Sequence, residues 1–378
     1  MQTEKLAHLL NLIWSSPIFG DAFPSDRSRQ ALVLSQIEAI YPAFVKTLGT
    51  VLVQGLPQLS FVEIDKLVQQ IAFRIIPFCT AIAAGEIVDT ERLRAAAMII
   101  ALIHWADNSM DAGDEVMLAT VRLLKSDLAT EPPLMPEVSS NLVQARLMAL
   151  RWIEREVESL SQPEDQATLL ECGIEETMQN DYKNRVLSRG YDLEKAEDFW
   201  AAHTTELVET SLATAATLHA TAAVYAAYRQ SRPELPSLPQ VFKEPAVMNV
   251  LRGPGNAAIR IFDDVSDRLK DNRNDPRCGE FNLNIFNQPE PVFLRAFLDR
   301  AGLSDDRVVK SVLEAFLVST EDSQAYILQV FIDLIRDRLA SLPTPIWNRY
   351  GVFLQVAKRA IETAYVNLMG DLESPISA

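Results

Sequence analysis

No stretch of this chain alternates apolar and polar side chains with a period of two, whereas helical spacing recurs along most of it. Ile37, Ile40, Tyr41, Phe44 and Val45 fall on one helical face, as do Val68, Ile71, Ile75 and Phe78. Residues 92–110, rich in Ala, Leu and Ile, read as a helix buried along its length. The same spacing predicts helices over residues 139–160, 165–187, 193–228, 245–269, 307–317, 323–339 and 350–370. Turn chemistry separates them at Glu131-Pro132-Pro133, Pro233-Glu234-Leu235-Pro236 and Leu342-Pro343-Thr344-Pro345. With 48% hydrophobic residues among 378, there is apolar material for a large core. No segment reads as a linker between independent folds. The expectation is therefore all-α, with residues 1–378 forming one domain of long helices around a common core.

Several function classes are disfavoured on chemistry. The formal net charge is −16 and no basic cluster offsets it, so nucleic-acid phosphates would be repelled. Cys79, Cys172 and Cys278 are far apart and odd in number, which fits reduced thiols better than a zinc site or a disulfide framework. Met1-Gln2-Thr3-Glu4-Lys5 lacks the basic flank of a signal peptide. The longest apolar run, residues 95–105, is too short to cross a bilayer. A cytoplasmic protein without stable membrane insertion is expected. Gly253-Pro254-Gly255 does not read as a phosphate loop, because no strand precedes it and proline separates the glycines.

Chemistry concentrates in two acidic clusters. The apolar run ends in Trp105-Ala106-Asp107-Asn108-Ser109-Met110-Asp111, followed by Asp114 and Glu115. Asp107 and Asp111, four residues apart, share a helical face and repel each other unless a cation joins them. Magnesium takes one or two carboxylates and fills its remaining positions with water and substrate phosphate oxygens. A solvated acidic helix end would show the same residues, but its place after an apolar helix fits the rim of a cavity. The second cluster, Asp263-Asp264-Val265-Ser266-Asp267-Arg268-Leu269-Lys270-Asp271, puts Asp263, Asp267 and Asp271 on one stripe over two turns. Arg260, Arg268 and Lys270 nearby would also fit a plain salt-bridged surface. Two ladders, each closing an apolar helix, favour a shared metal site over two coincidences.

In this order and separation the motifs resemble those of microbial class I terpene synthases. Asp107-Asn108-Ser109-Met110-Asp111 is similar to the family's DDxxD motif, with asparagine at the second position. Asp263 to Asp271 is similar to its NDxxSxxKE motif, with Lys270 where the family has lysine. Gly279-Glu280-Phe281-Asn282 resembles its GDxxN stretch, and Arg349-Tyr350 stands where the family places a diphosphate-contacting pair. Asp198-Phe199-Trp200-Ala201-Ala202-His203-Thr204 resembles its EYLxxRR stretch, with His203 near the position of a diphosphate-sensing arginine. Arg185 and Arg189 are the other candidates for that role. The likeness spans roughly residues 100–350.

The resemblance implies a helical bundle of the isoprenoid synthase type with a central active-site cavity. It implies a prenyl diphosphate substrate and three magnesium ions, held by Asp107, Asn108 and Asp111 and by Asp263, Asp267 and Asp271. Metal acts as a Lewis acid on the leaving diphosphate, and a dry apolar pocket protects the cation. Aromatic faces can stabilise that cation; the candidates are Phe73, Phe78, Phe199, Trp200 and Trp347. Arg349 and Tyr350 are expected to open the last helix, where free N–H groups and a guanidinium fork suit a diphosphate. Lys270 and His203 complete the expected catalytic set. The resemblance leaves room for a homodimer and for a partner enzyme that supplies the diphosphate. A trans-prenyl diphosphate synthase is the nearest rival, but Asp111 is followed by Ala112-Gly113-Asp114-Glu115 rather than paired arginines. A non-catalytic helical interaction protein would carry the same ladders as surface decoration.

Overall fold

The computed structural model describes residues 27–55, 59–84, 86, 89–110, 151–172, 196–213, 217–261, 292–304, 310, 312–313 and 321–373. Among the described residues every regular element is helical. Helices α1 (Arg27–Gly55), α2 (Phe61–Ala83) and α3 (Thr90–Met110) pack on one another. On α1 the buried residues Val33, Ile37, Ile40, Phe44, Leu48, Val51 and Leu52 form one stripe. Burying each large apolar side chain contributes about 1.5–3 kcal/mol. Together they outweigh the cost of Pro42 inside the helix, about 3 kcal/mol. On α2 the expected residues Val68, Ile71 and Ile75 are buried, and Phe78 is half-buried against the core. Ser60 caps α2: Glu63 N–H donates to Ser60 Oγ and Ser60 N–H to Glu63 Oε2 at 2.8 Å.

Helix α3 is the centre of the bundle. Every residue from Ala95 to Ile103 is buried, as the sequence leads one to expect. Asp89 serves its free amides, accepting from Glu91 N–H and Arg92 N–H at 3.0 and 3.3 Å. Helices α1 and α2 are also long and apolar enough to cross a membrane, but 61% of that window in α2 is buried inside the protein, and 33% in α1.

The next described helical residues are 151–160, followed by α4 (Pro163–Leu170), α5 (Ala196–Ala213) and α6 (Thr217–Ser231). One continuous helix was expected over residues 193–228. The described parts of that stretch, α5 and α6, are helical, and residues 214–216 between them lie outside those described. Helix α6 packs on α3 and on the last helix. Its end is held by Arg229, which pairs with Asp165 and Glu164 of α4 and donates Nε–H to Leu235 O. Asp165 also accepts the Leu238 amide at 2.7 Å, so one buried carboxylate joins α4 to the start of α7 (Leu238–Phe242).

Helix α8 (Pro245–Val250) continues through a π turn, Leu251–Gly255, into helical residues 256–261. Beyond lie α9 (Val292–Arg300), α10 (Glu321–Ala340) and α11 (Thr344–Glu373). Gly302, at φ +72°, ends α9 in the left-handed region and lets Leu303 N–H reach Leu298 O at 2.8 Å. Helix α11 begins six residues before the expected start. Pro345 falls in its first turn, where a missing N–H costs no helical bond.

The end of α2 is satisfied from a distance. Its last carbonyls have no acceptor role left in their own helix. Tyr228 of α6 donates to Ala83 O at 2.8 Å, and Arg359 of α11 donates to Ile82 O at 3.3 Å and to Glu86 at 2.8 Å. Burial pushes the Tyr228 phenol well above its ordinary range, so it remains a neutral donor. Arg359→Ala leaves a carbonyl and a carboxylate without their donor, and is expected to destabilise the fold by about 2–4 kcal/mol. Tyr228→Phe removes a hydroxyl that donates to Ala83 O and Glu86 and accepts from Arg359, and should cost about 1–2 kcal/mol. Urea unfolding of both variants measures the difference.

Candidate functional site

The first acidic cluster occupies the C-terminal turn of α3. Asp107 and Asn108 belong to that helix, but their side chains, and Asp111 altogether, lie outside the described residues. Asp263, Asp267, Lys270 and Asp271 fall in 262–291 and also lie outside them, as do Arg185 and Arg189. Phe199 and Trp200 belong to the first turn of α5, with side chains outside the described set. His203, one turn further along α5, is half-buried. Among the described residues no group of three or more His, Cys, Asp or Glu side chains could hold a metal.

The chain around the clusters is described, and it sets where they start. Helix α6 runs back along α3: Ser231, its last residue, accepts from Arg92 near the start of α3 at 2.9 Å. Thr217 is fourteen residues before Ser231, about 21 Å at 1.5 Å per residue. Asp107 is fifteen residues beyond Arg92, about 22 Å. Thr217 and Asp107 are therefore about equally far along their helices from the Arg92–Ser231 bond. Near the last described residue of α5, Asn256 donates Nδ2–H to Leu212 O at 2.8 Å. Asn256 begins the helical residues 256–261, which lead directly to Asp263. A cleft of about 670 Å³ opens here, lined by Glu209, Leu212, Met248, Arg252, Asn256 and Arg300.

Arg349 and Tyr350 lie on α11. Tyr350 is buried, 4% exposed, and Arg349 is exposed with its guanidinium 5.3 Å from the centre of the Tyr350 ring. They sit in the second turn of α11, past its free amides, so the expected helix-end grip on an anion does not arise there. Arg349 borders a polar cleft of about 500 Å³ with Arg229, Glu164, Pro233 and Gln240. That cleft flanks the loop leaving the end of α6, which Arg92 ties to the beginning of α3. Trp347 is half-buried and donates Nε1–H to Leu339 O at 3.0 Å, closing the turn between α10 and α11. Phe78 packs on the core from α2.

Sequence reasoning missed the residues that do join distant elements here: Asn256, Arg229, Asp165 and Arg359. The polar side chains in otherwise apolar runs were the available signal. Cys79 is buried and its thiol is pushed far above its usual range by desolvation, which makes it an inert packing residue.

As an exposed side chain past the free amides of α11, Arg349→Ala is expected to change turnover and magnesium-dependent pyrophosphate binding by no more than about twofold, the range of ordinary surface substitutions. Steady-state kinetics and thermal-shift titration check this; a loss of about tenfold or more would instead assign Arg349 the diphosphate grip that the resemblance implies.

Comparison of this chain with protein-family models, with curated proteins and with solved structures finds no match, so its function is read from its own residues.

Proposed function

We propose that this protein is a magnesium-dependent class I terpene synthase. The observation that supports the reading is the pair of oxygen-rich acidic ladders in the sequence, the first of them closing helix α3, whose residues from Ala95 to Ile103 are all buried.

The donor set fits the metal. Asp107, Asn108, Asp111, Asp263, Asp267 and Asp271 offer only oxygen ligands, which suits magnesium and excludes soft-metal preferences. These residues would hold the ions, three by the family resemblance, and bound magnesium would supply Lewis-acid stabilisation of the leaving diphosphate. The substrate class is a prenyl diphosphate, either a linear C15 or C20 chain or a pre-cyclised bicyclic diterpenyl diphosphate. Its allylic C–O bond breaks, and the electron pair leaves with the diphosphate. The carbocation then loses a proton or takes up water, giving a hydrocarbon or an alcohol. The chain's own part is to hold the headgroup at an acidic rim and to keep water from the cation. The buried stretch Ala95–Ile103 behind that rim, and the buried Ala220, Ala222, Ala223, Ala226 and Ala227 of α6, provide apolar surroundings of that kind.

Two measurements test the reading. Incubation with a panel of prenyl diphosphates and magnesium should release diphosphate and yield terpene products, and excess chelator should stop it. Asp107→Ala should fold with the wild-type melting temperature and lose about a hundredfold or more in turnover, as for loss of a major charge-stabilising group. Full turnover in that variant or in chelator would sink the mechanism.

A further inference from the structure

Three segments meet around the cleft of about 670 Å³: α5, the π turn Leu251–Gly255 and the end of α9. The sequence dictates the wall that the π turn makes. Pro254 has no N–H for the carbonyl of Val250, four residues back, and its ring would press on that oxygen in an α-helix. A wider turn relieves the clash. Glycine then lets the turn touch the end of α9: a Cβ at Gly253 would lie 2.9 Å from Ala301 O. Gly302 lines the opening, and a Cβ there would meet nothing within 4 Å.

The walls are tied to one another. Asn256, 5% exposed, donates Nδ2–H to Leu212 O at 2.8 Å and joins the π turn to α5. Arg300 donates Nη2–H to Glu209 Oε1 at 3.3 Å and joins α9 to α5. Arg338 of α10 donates to Gly302 O at 3.3 Å. The cleft is therefore formed before any ligand arrives, and its volume falls in the range of small-molecule sites, about 300–1,000 Å³.

Its chemistry is divided. Leu212, Met248 and Ala301 supply an apolar floor, and the charged lining residues are Arg252, Arg300 and Glu209. Two guanidiniums against one carboxylate leave the lining with one positive charge, in a chain whose formal net charge is −16. Arg252 is set over the Phe242 ring, 5.9 Å from its centre. Arg300, with 61% of its side chain exposed, meets Glu209 through Nη2 alone, so the rest of its fork can serve an incoming anion.

We propose that this cleft binds an amphipathic anion, a phosphate or carboxylate head on a short apolar body. The head meets Arg300 and Arg252, and the body lies on Leu212 and Met248. A positive pocket in a strongly acidic protein gathers such an anion where the remaining surface repels it. The site needs no metal, and the proposal does not rest on the prenyl diphosphate reading.

The test is isothermal titration calorimetry on the full chain in excess chelator. Octyl phosphate and octanoate are the probes, with octanol and inorganic phosphate as controls. At least one probe should bind about tenfold or more tighter than either control, since head and body each contribute. Tighter octyl phosphate identifies a phosphate head, and tighter octanoate a carboxylate. Arg300→Ala should weaken the better probe about tenfold or more, and Arg300→Lys should restore part of the loss. Arg300 is exposed, so both variants are expected to fold. No binding of either probe overturns the proposal. So does octanol binding as tightly as the probes, which leaves only an apolar crevice, or unchanged affinity in Arg300→Ala, which places the anion elsewhere. Binding that appears only when magnesium replaces the chelator overturns it too, because the head is then held by metal rather than by arginine.

Discussion

A helix buried on every side has no solvent to serve its ends, and the architecture follows from that constraint on α3. From Ala95 to Ile103 the helix touches only protein. Its amides at the start are answered by Asp89, immediately before Thr90. Its other end runs into Asp107 and Asn108, side chains that can be buried only with a compensating charge or exposed at a rim. Apolar length followed by acid is therefore a boundary condition. It forces α1, α2 and α6 to cover the middle.

The neighbouring end of α2 meets the same constraint by other means. Ala84 takes a left-handed conformation, φ +51°, and the carbonyls just before it point to side chains of α6 and α11. Arg359 is a costly group to bury. An apolar residue of similar size would pack as well but could not donate to a carbonyl and a carboxylate at once. Because both donors come from helices far along the chain, α6 and α11 cannot slide on α2 without exposing unpaired groups. Asp165 plays the corresponding part for α4 and α7, with Arg229 at one oxygen and the Leu238 amide at the other.

Local periodicity was enough to read the helical class and the inward faces: Ile37, Ile40, Phe44 and Val68 are where their spacing puts them. It was not enough where tertiary contacts decide. No local pattern announces the bond from Asn256 to Leu212 O, which joins residues forty-four apart in the sequence. Pro345 looked like a terminator because proline breaks helices; in a first turn it opens one. The acidic ladders were read from their spacing of four residues, and the side chains of Asp107, Asp111, Asp263, Asp267 and Asp271 lie outside the described residues. Arg349 was read from a short motif; it is exposed on a long helix and borders the cleft lined by Arg229 and Glu164.

The π turn also limits how this chain can be read or altered. Residues 245–250 and residues 256 onward do not obey one helical wheel, because the turn between them holds a residue too many. A face assigned from Val247 or Met248 and extended to Ile261 by simple counting comes out about a quarter-turn wrong. Alignments that treat the segment as one uninterrupted helix carry the same offset. Grafting residues 256–261 onto another helix would have to begin at Asn256, since only from that point do they keep a single phase.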